Sequence, residues 1–312
     1  MNSAFVMSVV NCAATSKSTI LQARRNTAVT HSIPSDRVSL RAMCATDLPA
    51  ALALSQRLSW PHRLEDWQMM FRLGTGLVLE DRGQLIGTAL CCVQGGFSSV
   101  GLVIVAREYQ GRGLGRRLMQ AALDLSAGTV ATLTATPEGA PLYEKLGFAT
   151  CGRLVQHQGL WPGGCGLPQN AGIRALGGDE RMAAVALANA GSGLARDAVL
   201  QDLLAESQRA HVMEACGERV GLALLRPFGR GLAIGPVIAR NPGQARALIQ
   251  SLLGQVSGCF VRIDVTAASG LSPWLDSIGL PRVDEPVQMA RGPGPTGRAG
   301  FTQYAVVSQA LG

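Results

Sequence analysis

Three glycines at every second position, Gly111, Gly113 and Gly115, stand between the apolar run Val103-Ile104-Val105 and a segment of helical periodicity that opens at Leu114. A strand that turns into a helix through such a loop offers successive backbone N–H groups to an anion. The helix N-terminus adds unpaired donors and a partial positive charge. Glycine lets a phosphate come up to the backbone, where a side chain would block it. Arg112, Arg116 and Arg117 supply charge-assisted hydrogen bonds. The chemistry expected here is binding of a phosphorylated small molecule. No Gly-Lys-Ser/Thr follows, so this is not a P-loop. A dinucleotide fingerprint counted from Gly111 needs glycine at 116, where Arg116 stands, and the acidic residue about 20 positions on is missing. The pattern left is Gln-x-x-Gly-x-Gly, carried by Gln110, Gly113 and Gly115.

That pattern, between a strand and a helix, resembles the pyrophosphate loop of the GNAT acetyltransferases. A second motif, Leu142-Tyr143-Glu144-Lys145-Leu146-Gly147-Phe148, resembles the family's L-Y-E-K-x-G-F pattern and lies at a suitable distance. The resemblance implies acetyl-coenzyme A as co-substrate, with Val103, Ile104, Val105, Gln110, Gly111, Arg112, Gly113, Leu114, Gly115 and Arg116 as its binding residues. It implies a splayed strand whose backbone N–H polarises the thioester carbonyl. It also implies Tyr143 as the general acid that protonates the departing thiolate; read without it, Tyr143 is equally a packing residue that anchors its helix. Where the family often has Asn, seven residues before the tyrosine, this chain has Thr136, so that contact with the co-substrate is altered or absent. No acid stands on the strand 99–105, where many relatives place a Glu, so the base must be sought elsewhere. The segment Trp60 to Trp67 lies where this fold lines the acceptor pocket. From it, His62 or Asp66 is the candidate base, and Trp60, His62, Asp66 and Trp67 are the candidate acceptor pocket, with Asp66 and the Trp67 ring face able to hold a cationic amine. His62 reads equally as a surface turn residue, and the two tryptophans as core.

These motifs need an α/β framework with a mixed sheet. The pattern predicts a strand at 38–43, helices around 46–57 and 64–73, and strands at 76–80, 85–93 and 99–105. A loop over 106–113, a helix over 114–125, a strand over 129–135 and a helix over 139–146 follow. In the helix 114–125, Leu114, Leu118, Ala121, Ala122 and Leu125 form one apolar face. The chain then repeats itself. Val78–Leu90 matches Val212–Leu224, with Gly83 against Gly217 and Gly87 against Gly221. Gly101–Ile104 matches Gly235–Ile238, and Leu142–Phe148 matches Trp274–Leu280. Two copies of one fold are expected, 38–160 and 171–291, joined by a linker at 161–170. A tail over 292–312 has an apolar run, Tyr304–Val307, that can close a sheet. In the second copy Asn241-Pro242-Gly243 replaces the glycine loop and Leu275 replaces the tyrosine. Pro242 has no N–H to give. The second copy is therefore expected to keep the architecture and lack the co-substrate chemistry, giving a tandem GNAT-like protein with a degenerate C-terminal domain.

The composition fits two cores: 312 residues, 47% hydrophobic, and a formal net charge of +7. A basic balance suits anionic partners. The charges are scattered, with no Lys/Arg block among aromatics, which favours a phosphorylated small molecule over nucleic acid. None of the eight cysteines falls in a C-x-x-C pair, so no metal is expected and the thiols read as reduced. Cys91 and Cys92 read as packing residues. No apolar run approaches the length of a membrane span. Residues 1–37 are rich in Ser, Thr, Asn and Ala, with four basic residues and one acid, and read as a disordered tail or as a transit-like segment. The expected function is N-acetyl transfer to a small amine in the cytoplasm. The alternative is a non-catalytic acyl-coenzyme A sensor.

Overall fold

The computed structural model describes residues 37–163, 172–298 and 300–312. The expected tail 1–37, Arg37 apart, and residues 164–170 of the expected linker lie outside the described residues.

The first half runs β1 (Val38–Ala42), α1 (Leu48–Gln56), α2 (Leu64–Leu73), β2 (Thr75–Asp81), β3 (Gln84–Gln94), β4 (Phe97–Val105), α3 (Leu114–Leu125), β5 (Val130–Ala135), α4 (Ala140–Glu144) and β6 (Ala149–Leu160). The second half repeats it as β7 (Ile173–Ala175), α5 (Arg181–Ser192), α6 (Asp197–Glu206), β8 (Arg209–Ala215), β9 (Glu218–Phe228), β10 (Gly231–Ala239), α7 (Pro242–Leu253), β11 (Phe260–Thr266) and α8 (Ser272–Ser277). Three further strands follow: β12 (Arg282–Asp284), β13 (Val287–Arg291) and β14 (Thr302–Ala305). The local chemistry repeats too. Arg82-Gly83 and Cys216-Gly217 both turn with positive φ at two successive residues, the geometry that matches the twist of a tight hairpin.

In each half a parallel pair is bridged by a crossover helix, α3 or α7, as parallel strands require. α3 buries Leu114, Leu118, Met119, Ala122 and Leu123. The expected face is thus rotated: Leu125 is exposed, because the 114-118-122 row is joined by 119-123 on the sheet side. α7 buries Ala245, Leu248, Ile249 and Leu252 completely.

The strands form one 14-stranded mixed sheet in the order β1-β2-β3-β4-β5-β13-β6-β11-β14-β10-β9-β8-β7, with β12 beside β6. The two halves exchange strands. β13, which follows the second half, lies between β5 and the start of β6, with Val287 opposite both Ala135 and Arg153. The end of β6, from Leu154 to Leu160, pairs with β11. The expected split between 38–160 and 171–291 therefore does not divide the sheet. No helix of the described residues is long and apolar enough to cross a membrane.

Candidate active site at the splay of the first half

β4 and β5 pair only over Phe97–Ser99 and Val130–Thr132. Beyond Ser99 the two strands part, and β4 presents an unpaired edge from Val100 to Val105. Such an edge offers backbone donors and acceptors to whatever enters beside it. The opening continues into a groove of about 660 Å³ that runs along Val103, Ile104 and Val105 to the glycine loop and α3. A bulge at Leu102, whose φ is +51° and whose carbonyl accepts from Thr88 Oγ1 at 2.7 Å, marks the turn of the strand.

The glycine loop has a geometry that could hold an anion. The six backbone N–H groups from Gly111 to Arg116 have no acceptor among the described residues; the first helical bond is Arg117 N–H to Gly113 O at 3.0 Å. Gly111 and Gly113 have φ near +75°, which L side chains adopt at a cost. An added Cβ at either would meet nothing within 4 Å, so space in the protein does not demand glycine there. The backbone conformation does. Gln110 Nε2 donates to Val105 O at 3.0 Å, tying the loop to the strand end. Tyr109 adds a second tie, its hydroxyl donating to Asp81 Oδ2 at 2.9 Å. The arginines divide differently from the sequence expectation. Arg116 lines the groove, and so does Arg107, which sequence reading did not single out. Arg112 turns away, donating to Glu108 O and lying 5.1 Å over the Tyr109 ring. Arg117 donates to Val38 O. Neither Arg112 nor Arg117 faces the groove, because nearer backbone acceptors and an aromatic face hold them.

Tyr143 lies at the groove wall, its ring against Gly139 and edge-on to Phe148. Its hydroxyl makes no hydrogen bond to a described residue. Burial pushes its pKa up to about 12, so it is protonated at neutral pH. Thr136 Oγ1 accepts from Gly139 N–H at 3.3 Å and lines both this groove and a second cavity of about 270 Å³. The two spaces meet along Trp60, Gly101, Leu102, Thr134 and Thr136.

The second cavity lies on the seam between the halves. Trp60, His62 and Asp66 line it from the first half, Phe228 and Arg262 from the second. His62 sits among aromatic edges, with ring centroids 5.8 Å from Trp60, 6.4 Å from Trp67 and 5.8 Å from Phe228. Its Nδ1 is buried without a partner among the described residues. Burial pulls its pKa down to about 4; Asp66 opposes this and Arg262 adds to it. Asp66 is heavily committed. Its Oδ2 accepts from Arg63 N–H, from Arg63 Nε and from Gly229 N–H of the second half at 3.1 Å, and its Oδ1 accepts from Arg63 Nη2 at 2.8 Å. It caps α2 and ties the halves, with one further lone pair left on Oδ1. Trp67 is fully buried and donates to Ser55 Oγ at 3.2 Å. It does not line the cavity; it backs His62, because α2 turns that face into the core. Cys91 and Cys92 are buried, and burial raises both thiols, Cys92 to about 11. No group of three or more metal-ligating side chains occurs among the described residues.

The equivalent place in the second half is closed. β10 and β11 pair over Leu232–Ile234 and then part in the same way. There β14 enters, pairing antiparallel with Val237–Ala239 on one side and with Val265 on the other. The eight-residue loop 106–113 has become the two residues 240–241. The start of α7 is satisfied internally: Asn241 Oδ1 accepts from Gln244 N–H, and Gln244 Oε1 from Arg240 N–H, each at 3.0 Å. The splay is filled and the run of free N–H groups is broken: at this helix start only Asn241 and Gly243 keep N–H groups without an acceptor among the described residues.

Comparison with known proteins finds one family in both halves. Models of the acetyltransferase (GNAT) domain match residues 72–150 and 184–305. A Bacillus subtilis (strain 168) protein carrying the name uncharacterized N-acetyltransferase YitH is 31% identical over 242 residues, 74% of this chain and 82% of that protein. Among solved structures, a candidate acetyltransferase from Pyrococcus horikoshii superposes with a TM-score of 0.73 at 18% identity, over 90% of this chain and 98% of that one. A tandem GNAT protein from the clavulanic acid biosynthesis pathway superposes with a TM-score of 0.59 at 14% identity, over 82% and 99%.

Proposed function

This chain belongs to the GNAT acetyltransferase family as an acyltransferase with two such domains, and from that premise we propose that it moves an acetyl group from acetyl-coenzyme A to a small amine. The observation that carries the reading is the run of six unpartnered N–H groups from Gly111 to Arg116 at the end of an open strand splay. Such a run fits a pyrophosphate, and Arg107 and Arg116 beside it add charge. The thioester end then falls along the unpaired edge of β4, whose N–H groups polarise the carbonyl. That is also where the groove meets the seam cavity, so an amine in that cavity stands next to the carbonyl carbon.

In the transfer the new C–N bond forms as the C–S bond breaks. His62 takes the proton from the attacking nitrogen. A pKa of about 4 makes His62 a weak base, but the nitrogen becomes strongly acidic once its lone pair is committed to the new bond. Tyr143 donates to the leaving sulfur. A tyrosine near pKa 12 giving its proton outright to a thiolate of ordinary pKa is uphill by roughly 5 kcal/mol. Its donation is therefore a hydrogen bond that tightens as C–S cleavage proceeds. Release of free thiol on adding amines to protein and acetyl-coenzyme A tests the reading. Tight binding with no thiol released by any amine would make the protein an acyl-coenzyme A sensor instead.

A further inference from the structure

The seam cavity has a wall that the strand-and-loop pattern does not explain. After β14 the chain continues as Val306–Gly312 and crosses toward the first half. Val306 N–H donates to Asp264 O at 3.0 Å. Gly312 N–H bonds back to Ser308 O at 3.0 Å, so the segment folds on itself. Gln94 Nε2 of β3 donates to Leu311 O at 3.0 Å. Ala310 lies against Gly101: a Cβ on Gly101 would stand 2.8 Å from the Ala310 Cβ and 3.1 Å from its Cα. That contact is at the junction of groove and cavity, and Ser308, Gln309 and Ala310 all line the cavity.

Two buried arginines are committed to this segment. Arg226 Nη2 donates to Val307 O at 2.9 Å, and Arg196 Nη1 donates to Gly312 O at 2.6 Å. Neither has an Asp or Glu side chain within salt-bridge distance among the described residues; Arg196 meets Gly312, the last residue of the sequence, and also donates to Gln303 Oε1. Burial pulls both guanidinium groups down to about 10. Burying a cation is costly unless its donors are engaged, and here both guanidinium groups donate to main-chain oxygens of one short segment. Gln309 is held as well, donating to Gln156 Oε1 at 2.9 Å. Ser308 is not: its Oγ is buried at the cavity and has no partner among the described residues. Buried hydroxyls are nearly always paired, so this one is open to a polar group of a ligand.

We propose that Ser308–Ala310 form the acceptor-recognition wall: Ser308 Oγ hydrogen-bonds the acceptor, Ala310 limits its bulk beside Gly101, and Arg196 and Arg226 position the segment. The proposal rests on the reading of the seam cavity as the acceptor site. The test uses the full chain and follows thiol release from acetyl-coenzyme A with spermidine, glucosamine, L-lysine and tyramine. Ser308→Ala removes one oxygen and Ala310→Leu fills the wall. Either is expected to change kcat/KM for the best amine at least tenfold, with KM for acetyl-coenzyme A kept within twofold. Ala310→Leu should also reorder the four amines. Unchanged kcat/KM and order in both variants would overturn the wall. If wild type acetylates none of the four, the proposed function fails first, and the wall is judged without turnover. A fluorescent maleimide should then label A310C at least tenfold more slowly than A310C combined with Arg196→Lys. Equal labelling rates would show that Arg196 does not seat the segment and would overturn the proposal.

Discussion

Replacing Gly113 with leucine separates a phosphate cradle from an ordinary helix start. Gly113 has a φ of +76° and precedes α3 without any side-chain cap. A leucine there must adopt the left-handed region, at roughly 1–2 kcal/mol. That cost alone lowers the melting temperature by only a few degrees in a chain of this size. Nothing stands within 4 Å of the added Cβ, so no core contact is broken and the fold should survive. The side chain, however, enters the space in front of the N–H groups of 111–116. Each net hydrogen bond to a charged group is worth about 1.5–3 kcal/mol. Losing two of the six removes roughly 3–6 kcal/mol, a fall of about 10²–10⁴ in affinity for acetyl-coenzyme A. Gly217→Leu is the matched control, because Gly217 has a φ of +75° and the same empty surroundings but lies in the β8–β9 turn. Calorimetric titration should show the affinity loss in Gly113→Leu only, with similar thermal shifts in both. Wild-type affinity in Gly113→Leu, or an equal loss in Gly217→Leu, would refute the cradle.

Three further outcomes are expected. Titration of the wild type should give one acetyl-coenzyme A per chain, since β14 and Asn241 close the second splay; two sites would contradict this. Tyr143→Phe should lower kcat by about 10²–10³, as for loss of one transition-state hydrogen-bond donor, with KM for acetyl-coenzyme A nearly unchanged; wild-type turnover would remove Tyr143 from the mechanism. As pH falls from about 6.5 toward 4, the unfolded chain protonates its histidine while the folded chain keeps His62 neutral. Stability is therefore full above about 6.5 and falls through that window, by up to roughly 3 kcal/mol from His62. Urea titrations should show a shallower pH slope in His62→Gln than in wild type. The slope should not vanish, because burial lowers His211 as well; an unchanged slope would mean that His62 is not buried as a neutral ring.

The glycine loop and the repeat were legible in the sequence because they are local. Gly111 and Gly113 declare a backbone conformation, and the β2–β3 and β8–β9 hairpins share one turn chemistry. Side-chain destinations were less legible. Arg112 and Arg107 look alike in sequence, yet one lies over Tyr109 and the other lines the groove, a choice set by acceptors several residues away. Trp67 and Asp66 sit in a segment rich in reactive residue types. Only the rotation of α2 about its axis decides that Trp67 is core and that Asp66 meets Gly229 of the second half. The strand exchange was invisible, because β6 and β13 carry no pattern that says which strands will flank them. The wall at Ser308–Ala310 gave no signal at all, since it depends on a contact with Gly101 across about 200 residues of chain.

The exchange of strands bears on why a copy without the cradle is retained in the architecture. Remove residues beyond Pro162 and the first half loses β13, so β5 and the start of β6 both become open edges, and the end of β6 loses β11 as well. Unpaired edges of that length are an aggregation hazard. The groove half of the site thus depends on the second copy before any ligand is considered. The cavity half depends on it more directly, through Phe228, Arg262 and the segment after β14. β14 itself links the two facts. By filling the splay of β10 and β11 it closes the second copy to a co-substrate, and by ending there it delivers Val306–Gly312 to the first copy's site. One short strand both closes one site and helps to build the other. A substitution that loosens β14, far from the glycine loop, should therefore disturb acceptor use before it disturbs acetyl-coenzyme A binding.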